Sequence, residues 1–230
     1  MRGPITLIQD SVAYVRKHAA LLFGTYALPA LIASFVYANV TNGLPAEAED
    51  MTASDLQLLA FSTIIFIVIS VFVSLALLRA VTDPQGTTIE KAYRYSLKHF
   101  LPFIYLSALV GIVTMLGFVA LIIPGILLMV WFMFAQFCFV DDGKRGVDAM
   151  RASRELVRGK WWAAFGRSMA LVGIAIAAII PVAIILGISF GNNSLAANFF
   201  SEVLTVIITP VAVAYMYFLY LDLKKVRSAA

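Results

Sequence analysis

From Leu56 to Leu78 the chain carries no Asp, Glu, Lys or Arg, and five further stretches are free of charge across their middles. They run from Ala19 to Val40, Leu101 to Ile123, Gly125 to Val140, Ala163 to Phe190 and Phe199 to Leu221, with Arg167 and Glu202 near span ends. About 20 helical residues cross about 30 Å of hydrocarbon, so each run is a membrane-spanning candidate. Lipid offers the backbone no hydrogen bonds, which leaves helices and closed barrels. Barrel strands alternate apolar and polar residues, whereas Phe61 to Leu78 is almost continuously apolar, so the expectation is helices. A soluble all-α bundle would need a polar face on most helices, and none of the six has one. Charged residues are 13% of the chain, about half the usual share of a soluble domain. The fold class expected is therefore an all-α integral membrane protein with six transmembrane helices, in a single membrane domain over residues 1–230.

Proline falls inside three of these runs, at Pro29, Pro181 and Pro210. Each frees a carbonyl and favours a kink, and neighbouring helices can re-satisfy the carbonyl. Pro124-Gly125 interrupts an apolar run too long for one span, and a tight turn there would make spans three and four a hairpin with almost no loop.

Charge placement orients the spans. The N-terminus, residues 79–100, residues 141–162 and the C-terminus hold all 17 Lys and Arg, counting Arg167 at the fringe, against eight acids. The opposite segments, residues 41–55, the Pro124-Gly125 turn and residues 191–198, hold no basic residue and five acids, counting Glu202. The positive-inside rule makes the first set cytoplasmic, with both termini inside. A signal peptide is the competing reading of the N-terminus, with Ala46-Glu47-Ala48 as a cleavage mimic. The first apolar run is longer than a signal core, which favours an uncleaved span. Asn39-Val40-Thr41 and Asn192-Asn193-Ser194 match the glycosylation acceptor pattern, which is short enough to arise by chance.

The cytoplasmic segments have helical periodicity of their own. In Thr87 to Phe100 the apolar Ile89, Ala92, Tyr93, Leu97 and Phe100 share a face, opposite Glu90, Lys91, Arg94 and Lys98. In Val147 to Arg158 the arc of Ala149, Met150, Leu156 and Val157 opposes the arc of Asp148, Arg151, Arg154, Glu155 and Arg158. Pro4 to His18 is a weaker third case. Ser11, Ser96 and Ser153 occupy matching positions on the three apolar faces, and short matches flank them: Val15 and Arg16 with Val157 and Arg158, and Ala92 and Arg94 with Ala149 and Arg151. This predicts three repeats of a surface helix plus a transmembrane hairpin, over residues 1–78, 79–140 and 141–221. Repeats of this kind occur in transporter folds.

Little in the chain points to chemistry. No paired carboxylates are placed to share a substrate, and the span centres lack the ionisable residues of a proton relay. His18 and His99 have no accompanying cluster of metal ligands. The single cysteine, Cys138, lies in an apolar run and permits no intrachain disulfide. No enzyme activity, cofactor, metal or nucleic-acid partner is expected. The strongest local feature is basic: Arg151, Arg154, Arg158, Lys160 and Arg167, beside Trp161 and Trp162. Tryptophan favours the membrane interface and clustered cations attract anionic headgroups, so these five are the candidate contact for an anionic phospholipid. The competing reading is that they are ordinary topology determinants.

Ile122-Ile123-Pro124-Gly125-Ile126, followed by an apolar span, Ala149 to Ser153 and then Leu156-Val157-Arg158-Gly159-Lys160-Trp161, resembles relatives of the glycerophosphoryl diester phosphodiesterase membrane domain. The motif covers about 40 residues, and the six-span layout extends the likeness. The resemblance implies a prokaryotic inner-membrane protein. It implies no phosphodiesterase activity, because in those enzymes the chemistry sits in a separate soluble domain. The function expected is a non-enzymatic accessory or lipid-interacting membrane module. A small transporter or permease working where repeats meet is the alternative, and an intramembrane enzyme stands third.

Overall fold

The computed structural model describes residues 2–45, 51–190 and 195–228. Ala46-Glu47-Ala48 and Asn192-Asn193-Ser194 lie outside them. Among the described residues the chain is helical, without strands: α1 (Pro4–Lys17), α2 (Ala19–Asn42), α3 (Ala53–Thr82), α4 (Ile89–Ala120), α5 (Ile122–Phe132), α6 (Ala135–Val140), α7 (Gly146–Val157), α8 (Trp161–Phe190) and α9 (Leu195–Ser228). Six spans are long and apolar enough to cross a membrane: α2, α3, α4, α5 with α6, α8 and α9. The chain is an all-α, multi-pass membrane-type protein.

Three boundaries differ from the sequence expectation. Thr87 to Phe100 is no separate surface helix. Thr88 caps Lys91, and α4 then runs unbroken past Pro102 into the third span. Pro102 costs only the hydrogen bond to the carbonyl of Lys98, at the charged end of the bundle where other partners can reach it. Leu97, Leu101 and Tyr105 form one outward apolar stripe across the intended boundary, so the surface segment and the span share a lipid-facing side.

The hairpin turn lies at Leu121, whose extended backbone alone separates α4 from α5, and not at Pro124-Gly125. Pro124 sits in the first turn of α5, where its missing N–H removes nothing the helix uses. Gly125 serves close approach instead. A Cβ there would lie 2.5 Å from the Phe118 ring, and one on Gly117 would lie 3.1 Å from the Gly125 Cα. The two glycines let α4 and α5 nest backbone to backbone.

The fourth span is also broken, at Met133-Phe134 between α5 and α6. Ser153 of α7 fills the break. Its hydroxyl donates to the Trp131 carbonyl at 2.7 Å and accepts from the Phe134 N–H at 3.2 Å, supplying two backbone groups that the interrupted helix leaves open. Ser11 and Ser96 are equally buried but donate to carbonyls of their own helices, those of Leu7 and Ala92.

The carbonyl that Pro29 frees meets the expectation from sequence. Residue 25 is its missing partner, and the Tyr93 hydroxyl donates to the Thr25 carbonyl at 2.6 Å. Tyrosines satisfy other helix ends in the same way. Tyr14 donates to Val81 O at 2.6 Å and Tyr217 to Thr82 O at 3.3 Å, closing the last turn of α3. The core gathers beside these contacts. It is built from Leu75 to Leu78, Phe134, Phe137 to Phe139, Val157, Tyr215, Leu219 and Tyr220, with α1 lying against α9 along Leu7, Ser11 and Val15.

Candidate functional site

The five candidate basic residues lie on and beyond α7. Its Ala149, Met150, Ala152, Ser153, Leu156 and Val157 are buried against the bundle, which turns Asp148, Arg151, Arg154, Glu155 and Arg158 outward. Arg158 closes the helix, and Gly159 follows with φ at 77°. That left-handed conformation favours glycine, and it lets the Lys160 N–H reach back to Val157 O at 2.9 Å before α8 begins. The tight reversal sets Arg158 and Lys160 beside the last turn of α9.

There they line a depression of about 420 Å³ with Arg227 and Glu155, floored by Leu223 and Val226. Glu155 pairs with Arg227 at 2.8 Å, and that hydrogen bond holds its carboxyl below the ordinary carboxylate range. Three cations face one acid over an apolar floor. The chemistry suits a phosphate or phosphodiester with an attached hydrocarbon.

The other predicted residues go elsewhere. Arg151 is exposed and lies 3.7 Å from Asp148. Arg154 stacks over the Trp131 ring with its guanidinium carbon 4.4 Å from the centroid. Arg167 does not line the depression. It faces the N-terminal segment, with Nε donating to Arg2 O at 3.0 Å, while its own carbonyl accepts from the Tyr215 hydroxyl. The five are therefore neighbours in sequence but not one site in space. Arg227 was missed because it is some 70 residues away along the chain, and only the packing of α9 on α7 brings it to Arg158.

An ionic belt surrounds this end of the bundle. Arg2 bridges Asp10 at 2.7 Å and Asp222 at 2.9 Å, and its guanidinium is held above its ordinary pKa, chiefly by the hydrogen bond to Asp222. Lys224 bridges Asp141 at 2.9 Å and Asp142 at 2.6 Å, and both carboxylates also accept from Tyr220. These pairs tie the N-terminal segment to α9, and α9 to the α6–α7 connection.

A second concavity opens between α2, α3, α6 and α9, with a volume of about 740 Å³. Its wall is mostly apolar but carries Gln136, Ser70, Ser74, Thr209, Ser34 and Glu202. Its polar residues are sparse in each apolar run, as at Ser70 and Ser74 one turn apart, and only the packing shows that four helices turn theirs to a common groove. Among the described residues no group of three or more His, Cys, Asp or Glu is placed to hold a metal ion. No protein-family model, curated protein or solved structure matches this chain.

Proposed function

We propose that this protein is a non-enzymatic module of a bacterial inner membrane that engages membrane lipid, with both termini and the basic end of the bundle in the cytoplasm. The observation that carries the reading is the depression of Arg158, Lys160 and Arg227 over Leu223 and Val226. Its charge matches an anionic phospholipid headgroup, and its floor matches the glycerol and first methylenes. The resemblance to relatives of the glycerophosphoryl diester phosphodiesterase membrane domain agrees with a lipid-facing role. On this reading α1 and α7 lie along the cytoplasmic surface, charged sides toward the headgroups. The common burial of Ser11, Ser96 and Ser153 supports three related units. A second reading, a small transporter, is favoured by the groove between α2, α3 and α9.

Each basic residue near an anionic surface contributes on the order of 1 kcal/mol. Reversing Arg158 and Lys160 together to Glu is therefore expected to weaken phosphatidylglycerol or cardiolipin binding by up to about a hundredfold. Arg151→Glu, outside the depression, is expected to change it far less. Native mass spectrometry on the wild type and these variants is the test, and a wild type that retains neutral and anionic lipids equally overturns the proposal. Alkaline phosphatase fusions at Ala48 and Gly143 test the orientation. Activity is expected from the first and not from the second.

A further inference from the structure

The groove between α2, α3, α6 and α9 has a polar track that runs from one end of the bundle to the other. Gln136 on α6 lies roughly 8 Å along the helix from Asp141 in the ionic belt, taking about 1.5 Å per residue. Ser74 and Ser70 follow one turn apart on α3, and Thr209 on α9 faces the same space. Ser34 and Glu202 close the far end, where the Ser34 hydroxyl donates to the Glu202 carboxylate at 3.0 Å. On α9 roughly 30 Å separate Glu202 from Asp222, about the thickness of the hydrocarbon layer.

The track is open rather than buried. Ser70 and Gln136 are exposed in the groove, and among the described residues neither side chain has a hydrogen-bond partner. A glutamine amide turned toward acyl chains would be left unsatisfied in hydrocarbon, which is costly. Water or a polar ligand in the groove removes that cost. Beside it, between α2 and α3, lies a nearly wholly apolar trough of about 460 Å³ that shares Ala33, Phe66 and Ile69 with the groove. The two concavities match the two halves of an amphiphile. The lining of the groove contains one carboxylate, Glu202, and no Lys or Arg among the described residues, the reverse of the basic depression at the other end.

We propose that this groove is a transbilayer path for the headgroup of an ammonium-bearing phospholipid, whose acyl chains stay in the trough and the bilayer during passage. Glu202 receives the ammonium group at one end. The Ser70 hydroxyl and the Gln136 amide, whose donors are not taken up within the protein, replace hydration of the phosphate along the way. The movement is passive and follows the lipid's own gradient. The proposal shares its ligand class with the lipid-handling reading above but rests on different residues.

The test is lipid exchange in vesicles of phosphatidylethanolamine and phosphatidylglycerol holding the full chain. Trace fluorescent phosphatidylethanolamine or phosphatidylglycerol is quenched from outside by dithionite. The wild type is expected to bring inner-leaflet phosphatidylethanolamine label within reach of the quencher, and phosphatidylglycerol label much more slowly. Glu202→Gln is expected to slow phosphatidylethanolamine about tenfold, because the amide oxygen can still accept but no longer carries the charge that assists the bond. Exchange no faster than in protein-free vesicles, equal rates for the two lipids, or an unchanged rate in Glu202→Gln overturns the proposal.

A second measurement covers the case in which that variant fails to fold. Thr209→Cys is expected to react with a membrane-impermeant maleimide while the buried Cys138 stays silent, and a Thr209→Cys that does not react also overturns the path. Failure of exchange with anionic lipid still retained would remove the path alone. Loss of anionic preference with exchange intact would remove only the basic depression.

Discussion

The two ends of this bundle are built on different principles. At the charged end, side chains from α1, α3, α6, α7 and α9 interlock around Leu75 to Leu78, Phe134 to Val140 and Leu219 to Leu223. Toward the other end the described helices bury less of themselves: the first buried residue of α3 is Val73, past its midpoint. Lipid explains the contrast. Apolar side chains gain nothing by leaving acyl chains for one another, so association must come from close packing and polar contacts. Those are concentrated at the charged end, in the tyrosine-to-carbonyl hydrogen bonds, the Ser153 bridge and the ionic belt. The far end keeps its apolar surface because it has a solvent suited to it.

The contrast is sharpest at Asp222, whose side chain is 8% exposed and which accepts from both the backbone N–H and the guanidinium of Arg2. Asp222→Ala leaves Arg2 without its main partner and is expected to destabilise the protein by about 3 kcal/mol, read as a lowered unfolding midpoint in detergent. A change of a few tenths would show that the ionic belt decorates the end rather than holding it. Ser153→Ala opens two buried backbone groups at the break in the fourth span and is expected to cost about 2 kcal/mol by the same measurement. Ser96→Ala, whose hydroxyl only doubles a bond within its own helix, is expected to cost much less.

On α8, where the helix packs little, the sign reverses. A Cβ on Gly173 of α8 would meet nothing within 4 Å, so Gly173→Ala is expected to stabilise by up to about 1 kcal/mol, through helix propensity alone. A loss of stability there would reveal a hidden packing surface. The smallest effect belongs to the exposed Glu155–Arg227 pair. The carboxyl of Glu155 is lowered by Arg227, so the pair contributes above the ordinary carboxylate range and is lost as pH falls through the depressed value. Because both side chains are more than half exposed, salt screens the pair. Arg227→Ala is expected to leave stability at neutral pH nearly unchanged while weakening anionic lipid binding, which separates the two roles of that residue.

The spans were legible because a membrane helix is a local object. Uninterrupted apolar length decides it, and all six candidate spans follow the runs read from sequence. What escaped depends on contacts distant along the chain. The stop between α5 and α6 carries no Gly or Pro, and its stability comes from Ser153 on another helix. Pro124-Gly125 looked like the turn because that pair is common in turns, whereas in a membrane hairpin the glycine is needed for the approach of Phe118. The start of α4 looked like a separate surface helix because its charges end near Lys98, but nothing after Lys98 forces the backbone to stop. The basic cluster was read as one patch because its members are close in sequence. In the fold only Arg158 and Lys160 of them line the depression, where Arg227 joins them.

The turn at Leu121 bears on how the protein enters the membrane. A single extended residue joins two helices that fit together through Gly117 and Gly125. So short a connection leaves almost no chain to send across as a loop, and α4 has no room to settle before α5 must follow it. The pair therefore has to fold back on itself first and insert as one wedge, its glycine seam already closed. A residue with a side chain at Gly125 would be felt at that step, during synthesis, before α6 to α9 exist to compensate.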